Sequence, residues 1–210
     1  MELNGISPQA LSRMPLYLNY LKRNLNDGEY ISATAIANAL GLNNVQVRKD
    51  LACVSNKGKP KIGYNKKELV CDMEKFLGCD SLTNAVLIGA GKLGEALMSY
   101  DGFKDYGLNI LAAFDINPNK QGKEAAGIKI YPPDCMKQIC SKNNVEIAII
   151  TTPQEVAQSA CDLVRECGIP AVWNFAPVHL KTDGKIFVFR ENMASSLAVL
   201  SQHLSKQLVK

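Results

Sequence analysis

The segment that most constrains the fold of this chain is Asn84–Leu97, with the sequence NAVLIGAGKLGEAL. An apolar run, Ala85–Ile88, leads directly into three glycines, Gly89, Gly91 and Gly94, spaced as G-x-G-x-x-G. Between a strand and a helix, such glycines make a tight turn, let a diphosphate approach the backbone and let the helix pack closely. The segment therefore predicts the first strand-loop-helix unit of a Rossmann-type dinucleotide-binding domain.

The residues that follow alternate between apolar strand candidates and helical stretches. Continuous apolar strands separated by helices predict a parallel sheet covered on both faces, and right-handed crossovers then give a doubly wound α/β fold. The predicted strands are Ala85–Ile88, Asn109–Phe114, Ile128–Ile130, Val145–Ile150, Ala171–Trp173 and Ile186–Phe189. The predicted helices are Lys92–Tyr100, Pro133–Ser141 and Glu155–Cys167.

An acidic residue ends the second predicted strand. Asp115 follows Gly94 by 21 residues, the place where a carboxylate that binds the adenine-ribose hydroxyls is expected. Because a carboxylate repels a 2′-phosphate, Asp115 favours NAD(H) over NADP(H). The alternative is that Asp115 only caps a helix at the end of the strand.

Two further loops follow predicted strands at their carboxyl ends, where sheets of this kind bind ligands. Both loops could line the nicotinamide side of a nucleotide site, and each could equally be a turn that contains proline. The candidate nucleotide-binding residues in the glycine loop are Gly89, Ala90, Gly91, Lys92, Leu93 and Gly94. Those in the two later loops are Thr151, Thr152 and Pro153, and Asn174, Phe175, Ala176 and Pro177.

The first eighty residues have a helical pattern instead. Ser32 can cap a helix over Ala33–Leu40 that ends at Gly41, and Asn43 can cap a second helix over Asn44–Val54. Two short helices joined by a tight turn predict a helix-turn-helix, whose second helix enters the major groove of DNA. The alternative is a helical hairpin with a solvated face. The predicted DNA-binding residues of the second helix are Asn44, Gln46, Val47, Arg48, Lys49 and Asp50.

The segment Asn56–Leu69, NKGKPKIGYNKKEL, contains two short strand candidates and turn residues. It predicts a β-wing behind the second helix. Between Arg48 and Lys67 there are seven basic residues and one acidic residue, a one-sided cluster suited to phosphate contact. The alternative is a solvated basic loop. The predicted DNA-binding residues of the wing are Lys57, Lys59, Lys61 and Tyr64.

The remaining helices set the domain organisation. In the predicted helix Leu11–Leu25, Pro15 lies in the first turn, where a missing N–H is tolerated. Asn65 and Glu68 predict a capping box for a helix that ends near Leu77. The loop composition that follows predicts a boundary between a winged-helix domain, 1–80, and a nucleotide-binding domain, 81–191, with a terminal helix over 192–210.

Composition excludes several other classes of protein. At 210 residues and 47% hydrophobic residues the chain can bury a core, and its net charge of +4 permits an anionic partner without requiring one. No apolar run approaches the roughly 18 residues that a membrane helix needs, and no secretory signal is recognisable. Seven cysteines without metal-ligand spacing predict free thiols in a reducing cytosol and no metal site.

The last twenty residues predict one helix whose apolar residues form a stripe. Such a stripe would be exposed on a lone terminal helix, so we expect it to pack on a partner subunit. The residues of the stripe are Met193, Leu197, Leu200, Leu204 and Leu208. A closed two-fold dimer presents two recognition helices and predicts an operator that is an inverted repeat.

Little in the chain could perform chemistry on a substrate. An oxidoreductase needs a substrate domain and a proton donor or acceptor near the nicotinamide, and the two histidines, His179 and His203, are better explained as surface residues. We therefore expect the nucleotide to act as a signal. The alternatives are an oxidoreductase or a CoA-handling Rossmann enzyme with an accessory helical domain, and a scaffold that holds the dinucleotide only structurally.

Several segments together resemble the Rex family of redox-sensing transcriptional repressors. They are SRMPLYLNYL, VQVRKDL, GKPKIGY, VLIGAGKLGEAL, the Tyr and Phe of YDGF, AFDIN, TTP and NFAP. The resemblance implies a homodimer with an N-terminal winged helix, a C-terminal Rossmann domain and a last helix exchanged between subunits. It also implies binding to operator DNA when NAD+ dominates, release by NADH, and roles for Arg13 and Tyr100 in the switch.

The chain departs from the family pattern at a few positions. Asn192 stands where the family usually has an aspartate of the switch network, which predicts weaker discrimination between NADH and NAD+. Lys61 replaces a usual glycine of the wing, which predicts a different operator preference. The residues in place of the usual aromatic and glycine residues after KDL are Cys53, Val54, Ser55 and Lys57.

Overall fold

The computed structural model describes residues 6–208, without the side chains of Met193, Ser196 and residues 206–208. The chain divides into two compact units, Met1–Ser81 and Leu82–Lys210. Within the described range, no helix combines the length and apolar character needed to cross a membrane.

The N-terminal unit contains four helices and one two-stranded sheet. Its elements are α1 (Pro8–Arg23), β1 (Tyr30–Ile31), α2 (Ala33–Leu40), α3 (Asn44–Val54), β2 (Tyr64–Asn65) and α4 (Lys66–Leu77). All four helices contribute to one core that includes Tyr17, Ile36, Leu51 and Met73. The core therefore fixes α2 and α3 as a helix-turn-helix against α1 and α4.

Side-chain caps start α2, α3 and α4 where the sequence predicts them. The hydroxyl of Ser32 accepts the N–H of Ala35 at 3.1 Å, and Asn43 Oδ1 accepts the N–H of Val45 at 2.9 Å. Asn65 caps α4 by accepting from the N–H of Glu68. The predicted start of α1 at Leu11 is wrong. The helix begins three residues earlier, at Pro8, with Ser7 as its cap, and Pro15 lies inside it. A Ser-Pro pair at a helix start is a strong local signal.

The wing differs from the prediction of two strands within one segment. The isolated bridge between Lys59 and Gly63 closes a tight turn, and β2 pairs antiparallel with β1, which precedes α2. Gly63 has a φ of 94°, and a Cβ there would lie 2.2 Å from the carbonyl oxygen of Ile31. Only glycine allows this close approach to Ile31 of β1. The partner strand of β2 is therefore β1, which lies in a distant part of the chain.

The C-terminal unit contains a seven-stranded sheet in the order β5-β6-β4-β3-β7-β8-β9, in which only β5 is antiparallel to its neighbour. The strands are β3 (Thr83–Ile88), β4 (Leu108–Phe114), β5 (Glu124–Ala125), β6 (Ile128–Tyr131), β7 (Val145–Ile150), β8 (Ala171–Asn174) and β9 (Phe187–Arg190). The helices are α5 (Lys92–Met98), α6 (Met136–Asn143), α7 (Gln154–Glu166) and α8 (Met193–Leu208), with short 3-10 turns at Asp101–Tyr106 and Pro133–Cys135. The six predicted strands are all present, and the Rossmann-type architecture is confirmed.

Helices cover both faces of the sheet, as predicted, but one face is exposed at the β9 edge. Helices α6 and α7 cover one face, where Val188 of β9 also packs. Since side chains alternate along a strand, Phe187 and Phe189 lie on the opposite face, and they are 68% and 55% exposed. The sheet therefore has an uncovered aromatic edge at β9.

Candidate functional site

A groove of about 380 Å³ lies at the carboxyl ends of β3, β4 and β7. It is the place where parallel sheets of this type bind ligands. The loop after β3 contributes Gly89 and Gly91, and the end of β4 contributes Asp115. The loop after β7 contributes Thr151, Thr152 and Pro153. Predicted nucleotide-binding residues from three separate segments of the chain thus lie together in one groove.

The three glycines of the loop differ in their steric surroundings. Gly89 has a φ of 98°, and a Cβ on Gly94 would lie 2.3 Å from the carbonyl oxygen of Gly89. An added Cβ on Gly91 would have no atom within 4 Å. Gly91 also precedes α5 without a side-chain cap, so the amides at the start of this helix can face an anion.

Two polar groups complete the groove. Asp115 lines the groove, and its Oδ1 accepts the N–H of Asn117 at 2.8 Å within a turn. No helix begins in that turn, so Asp115 does not cap a helix. The hydroxyl of Thr152 is buried and has no hydrogen-bond partner among the described residues. A buried polar atom without a partner is costly, which makes Thr152 a candidate ligand contact.

The other predicted residues of the glycine loop lie outside the lining of the groove. Ala90 is fully buried, and Lys92 and Leu93 begin α5. The loop Asn174–Pro177 also lies outside the lining. The side-chain amide of Asn174 donates to the carbonyl oxygens of Ala176 and Val178 at 3.2 and 3.0 Å. This loop is therefore a turn held by its own asparagine.

The apolar wall of the groove was not predicted. Residues from the end of β4, from the turn before α6 and from one side of α7 form it, and such a wall suits a flat ring. They are Ile116, Pro133, Val156, Ala160 and Leu163. Because these residues are spread over three segments, no local spacing in the sequence marks them as a group.

A second groove in the N-terminal unit brings together the basic residues predicted to contact DNA. Arg48 on α3 and Lys59 and Lys61 in the wing turn line it, together with the first residues of α2, Ser32 to Thr34. Lys49 and Gln46 are exposed on the same helix. The arrangement concentrates cationic side chains beside a helix N-terminus, as phosphate contact requires.

Two residues assigned to DNA in the sequence analysis belong to the core instead. The side chain of Val47 is fully buried, and Asp50 is only 2% exposed. Asp50 accepts hydrogen bonds from Arg13 at 2.8 and 2.9 Å and from the hydroxyl of Tyr17 at 2.8 Å. The prediction of DNA contact for the side chains of Val47 and Asp50 is therefore wrong, because Val47 is buried in the core and Asp50 is bonded to α1.

The bonds around Asp50 control its protonation. Burial by itself would raise the pKa of the Asp50 carboxyl, but hydrogen bonds from Arg13, Tyr17 and Gln46 outweigh it and lower the pKa. Burial and the bond to Asp50 raise the pKa of Tyr17 to about 12. Asp50 is thus an anion at neutral pH that ties α3 to α1.

Of the three other predicted DNA contacts, Lys57, Asn44 and Tyr64, two have structural contacts of their own. Lys57 forms an ion pair with Asp72 at 2.9 Å, and Asn44 Oδ1 is buried without a partner in the part of the chain described. The ring of Tyr64 lies against Gly58, where a Cβ would be 2.7 Å away. Tyr64 therefore lines the groove itself, whereas Lys57 and Asn44 lie outside its lining.

Lys61 has a left-handed backbone, with a φ of 64°. This region is strained for residues other than glycine, and the resemblance gives glycine as the usual residue at this position. Lys61 therefore keeps the backbone turn of the wing and adds a cation to it.

The three residues to which the family resemblance assigns a switch role each have a local contact. Arg13 holds Asp50. Tyr100 is 60% exposed, and its ring packs edge-to-face on Phe103 at 5.0 Å. Asn192 caps α8, accepting the N–H of Ser195 at 3.1 Å.

The seven cysteines are all free, as predicted. Burial raises the pKa of the Cys140 thiol to about 11, which makes that thiol less reactive at neutral pH. No group of histidine, cysteine or acidic side chains that could hold a metal occurs in residues 6–208 as described.

Two family models match this chain, one described as a putative DNA-binding protein N-terminus, over residues 5–52, and one as a CoA binding domain, over residues 80–178. The redox-sensing transcriptional repressor Rex of Treponema denticola is 42% identical over 192 residues, which are 91% of each chain. The Rex protein of Bacteroides thetaiotaomicron is 35% identical and covers 100% of this chain and 96% of its own. The chain belongs to the Rex family of redox-sensing transcriptional repressors.

Solved Rex structures confirm the fold along the whole chain. RSP, a Rex-family repressor, is 31% identical with a TM-score of 0.83, covering 97% of this chain and 96% of its own. The complex of RSP with β-NAD+ and operator DNA has a TM-score of 0.89 at 31% identity, covering 97% and 94% of the two chains. The complex of RSP with β-NADH has a TM-score of 0.85 at 30% identity, covering 99% and 98%. The family predicted from the sequence motifs is therefore confirmed.

Proposed function

We propose that this chain is an NADH-responsive transcriptional repressor that binds operator DNA and leaves it when NADH binds. The observation that carries the proposal is the open groove between Gly91 and Asp115, at an uncapped helix start, in a member of a repressor family. RSP, which this chain resembles over nearly its full length, has been described with β-NADH and with β-NAD+ and operator DNA.

The groove fits a dinucleotide in its chemistry. Open space at Gly91 admits the diphosphate to the amides of α5, and the carboxylate of Asp115 suits the ribose hydroxyls. The unpaired hydroxyl of Thr152 offers one more contact. A carboxylate at this place disfavours NADP(H) and CoA alike, because both carry a phosphate on the adenosine ribose. When bound, the nucleotide reports the redox state of the cell. The chain uses it as a signal and does not change it chemically.

The test compares the two redox forms of the nucleotide. Inverted-repeat DNA would first be selected by the protein from a random pool. This DNA would then be titrated with the protein in the presence of either NAD+ or NADH, and fluorescence anisotropy would report binding. NADH should lower the affinity for DNA and NAD+ should not. By linkage, DNA should weaken NADH binding by the same factor. Equal DNA affinity in the two nucleotides would rule out this function.

The proposal includes a homodimer that works in the cytoplasm, where the bacterial chromosome lies. Two exposed apolar surfaces support a dimer, the stripe of α8 and the aromatic edge at Phe187 and Phe189. The described residues of the stripe are Leu197, Leu200 and Leu204, all at least half exposed, and the side chains of Met193 and Leu208 lie outside the described set. Sedimentation equilibrium should give twice the chain mass.

Arg48 and Lys59 should contribute to DNA binding in different ways. Arg48→Ala is expected to lower operator affinity by about tenfold and to relax the sequence preference, because Arg48 is exposed on α3, the helix proposed to read the bases. Lys59→Ala should weaken binding evenly across sequences and reduce the salt slope by about one. Lys142→Ala, which removes the same charge from the other unit, is the control. Unchanged affinity in Arg48→Ala would show that α3 is not the recognition helix.

Asn192 should set how sharply the protein distinguishes NADH from NAD+. The family resemblance implies a carboxylate at this position, and a neutral amide offers no charge-assisted hydrogen bond. Asn192→Asp should therefore increase the ratio of operator release by NADH to release by NAD+. Aspartate caps a helix as well as asparagine does, so α8 should keep its start.

Asn192→Ser separates charge from capping, because serine caps the helix without a charge. This variant should keep the ratio of the wild type. A wild-type ratio already equal to that of Asn192→Asp would show that the carboxylate is not needed.

A further inference from the structure

Lys120 connects the two loops that flank the nucleotide groove. It lies beyond β4, and its ammonium donates to the carbonyl oxygen of Ala90 in the glycine loop. The same ammonium lies 3.2 Å from the carboxylate of Glu95 on α5. One cation therefore bridges the segment after β4 to both the glycine loop and the first turn of the helix.

The contact with Ala90 has a consequence for the next residue. The carbonyl of Ala90 and the N–H of Gly91 belong to one trans peptide, in which the two groups point in opposite directions. A lysine that holds the carbonyl on its own side keeps the N–H of Gly91 directed away from it. Gly91 lines the groove, so the peptide that Lys120 contacts includes an amide at the place where a diphosphate would meet the helix start.

The contact with Glu95 concerns charge. Glu95 is an acidic side chain in the first turn of α5, the helix whose start adjoins the groove. An unpaired carboxylate there would oppose the approach of an anionic diphosphate. The ammonium of Lys120 offsets that charge at close range.

The backbone that carries Lys120 is braced against Asp115. The side-chain amide of Gln121 donates to the carbonyl oxygen of Asp115 at 2.9 Å, and Asn117 donates its N–H to the carboxylate. The N–H of Lys123 bonds to the carbonyl oxygen of Lys120 at 3.2 Å. The lysine is thus held in place before any ligand arrives, which lowers the entropy cost of using it.

We propose that Lys120 is a positioning residue for the diphosphate of the bound nucleotide, acting through the Ala90–Gly91 peptide and through Glu95. The inference rests on the proposed function only in treating the groove as the nucleotide site. Because Lys120 acts at the diphosphate, it contributes equally to NADH, NAD+ and ADP-ribose. Discrimination between the redox forms belongs to other residues.

The test uses the full chain and isothermal titration with NADH and with ADP-ribose. Lys120→Met should weaken both ligands by about tenfold, the effect of one charge-assisted hydrogen bond. Lys120→Arg, which keeps a cationic donor, should recover most of that affinity. Lys123→Met removes an exposed lysine from the same loop and should bind both ligands as the wild type does.

A second variant separates positioning from simple structural support. Glu95→Gln should restore part of the affinity lost in Lys120→Met, because it removes the carboxylate that the lysine offsets. Wild-type affinity in Lys120→Met would overturn the inference. So would a loss accompanied by a lower melting temperature and not relieved by Glu95→Gln. If the wild type binds both ligands but NADH does not release DNA, the proposed function fails and the role of Lys120 is still measured.

Discussion

Replacing Gly91 with alanine is expected to weaken NADH binding by about 100-fold while leaving the melting temperature of the free protein unchanged. The backbone φ of Gly91 is −74°, which alanine adopts without strain, and an added Cβ meets no atom within 4 Å. The methyl group would instead occupy the space through which the diphosphate reaches the amides of α5. Isothermal titration with NADH and calorimetric melting of the free protein would measure the two effects.

Gly94→Ala is the matched comparison in the same loop. A Cβ there would lie 2.3 Å from the carbonyl oxygen of Gly89 and 3.0 Å from Leu87. This variant should therefore lose stability as well as NADH binding.

The Gly91→Ala protein should also stay on its operator at NADH concentrations that release the wild type. Normal NADH affinity in Gly91→Ala would mean that the groove is not the nucleotide site.

Removing the carboxylate of Asp50 is expected to destabilise the N-terminal unit by about 3–5 kcal/mol and to abolish operator binding. Asp50 is 2% exposed, so its loss leaves the guanidinium of Arg13 and the buried hydroxyl of Tyr17 without their partner. Because Asp50 lies on α3 and both partners lie on α1, the orientation of α3, the proposed recognition helix, depends on this network. Urea unfolding followed by circular dichroism would measure the change in free energy of unfolding.

Two other variants define what the Asp50 result means. Gln46→Ala removes a longer hydrogen bond to Asp50, 3.2 Å from an exposed side chain, and should cost little stability. The double variant Arg13→Met with Asp50→Leu replaces the ion pair by apolar groups and should regain much of the lost stability. If Asp50→Ala unfolded at the same urea concentration as the wild type, the ion pair between Arg13 and Asp50 would not be what holds α3.

The same network has a defined dependence on pH. Since hydrogen bonds lower the pKa of Asp50 in the folded chain, its stabilisation is fully present above the ordinary carboxyl pKa. It is lost as pH falls through the lowered folded-state pKa. The difference in stability between the wild type and Asp50→Ala should therefore be constant near neutral pH and shrink only in acid.

The local elements and the glycine loop could be predicted from the amino-acid sequence alone. Val145–Ile150 is predicted with the ends that the structure has, because a parallel strand buried in a sheet is mostly apolar and only Glu146 interrupts this run. The caps at Ser32, Asn43 and Asn65 were equally accessible, since each bonds an amide two or three residues away. A G-x-G-x-x-G motif acts through its immediate neighbours, so its meaning survives without knowledge of the rest of the fold.

Which side chains face solvent, core or groove could be seen only in the folded chain. In the sequence Asp50 is one acid within a basic stretch, and its partner Arg13 lies 37 residues away. Lys120 likewise lies 30 residues from Ala90. The second strand of the wing came from before α2, and the apolar wall of the groove came from three separate segments. Caps and periodicity depend on residues within one or two turns, whereas these contacts depend on how distant elements pack, and no local pattern records that packing.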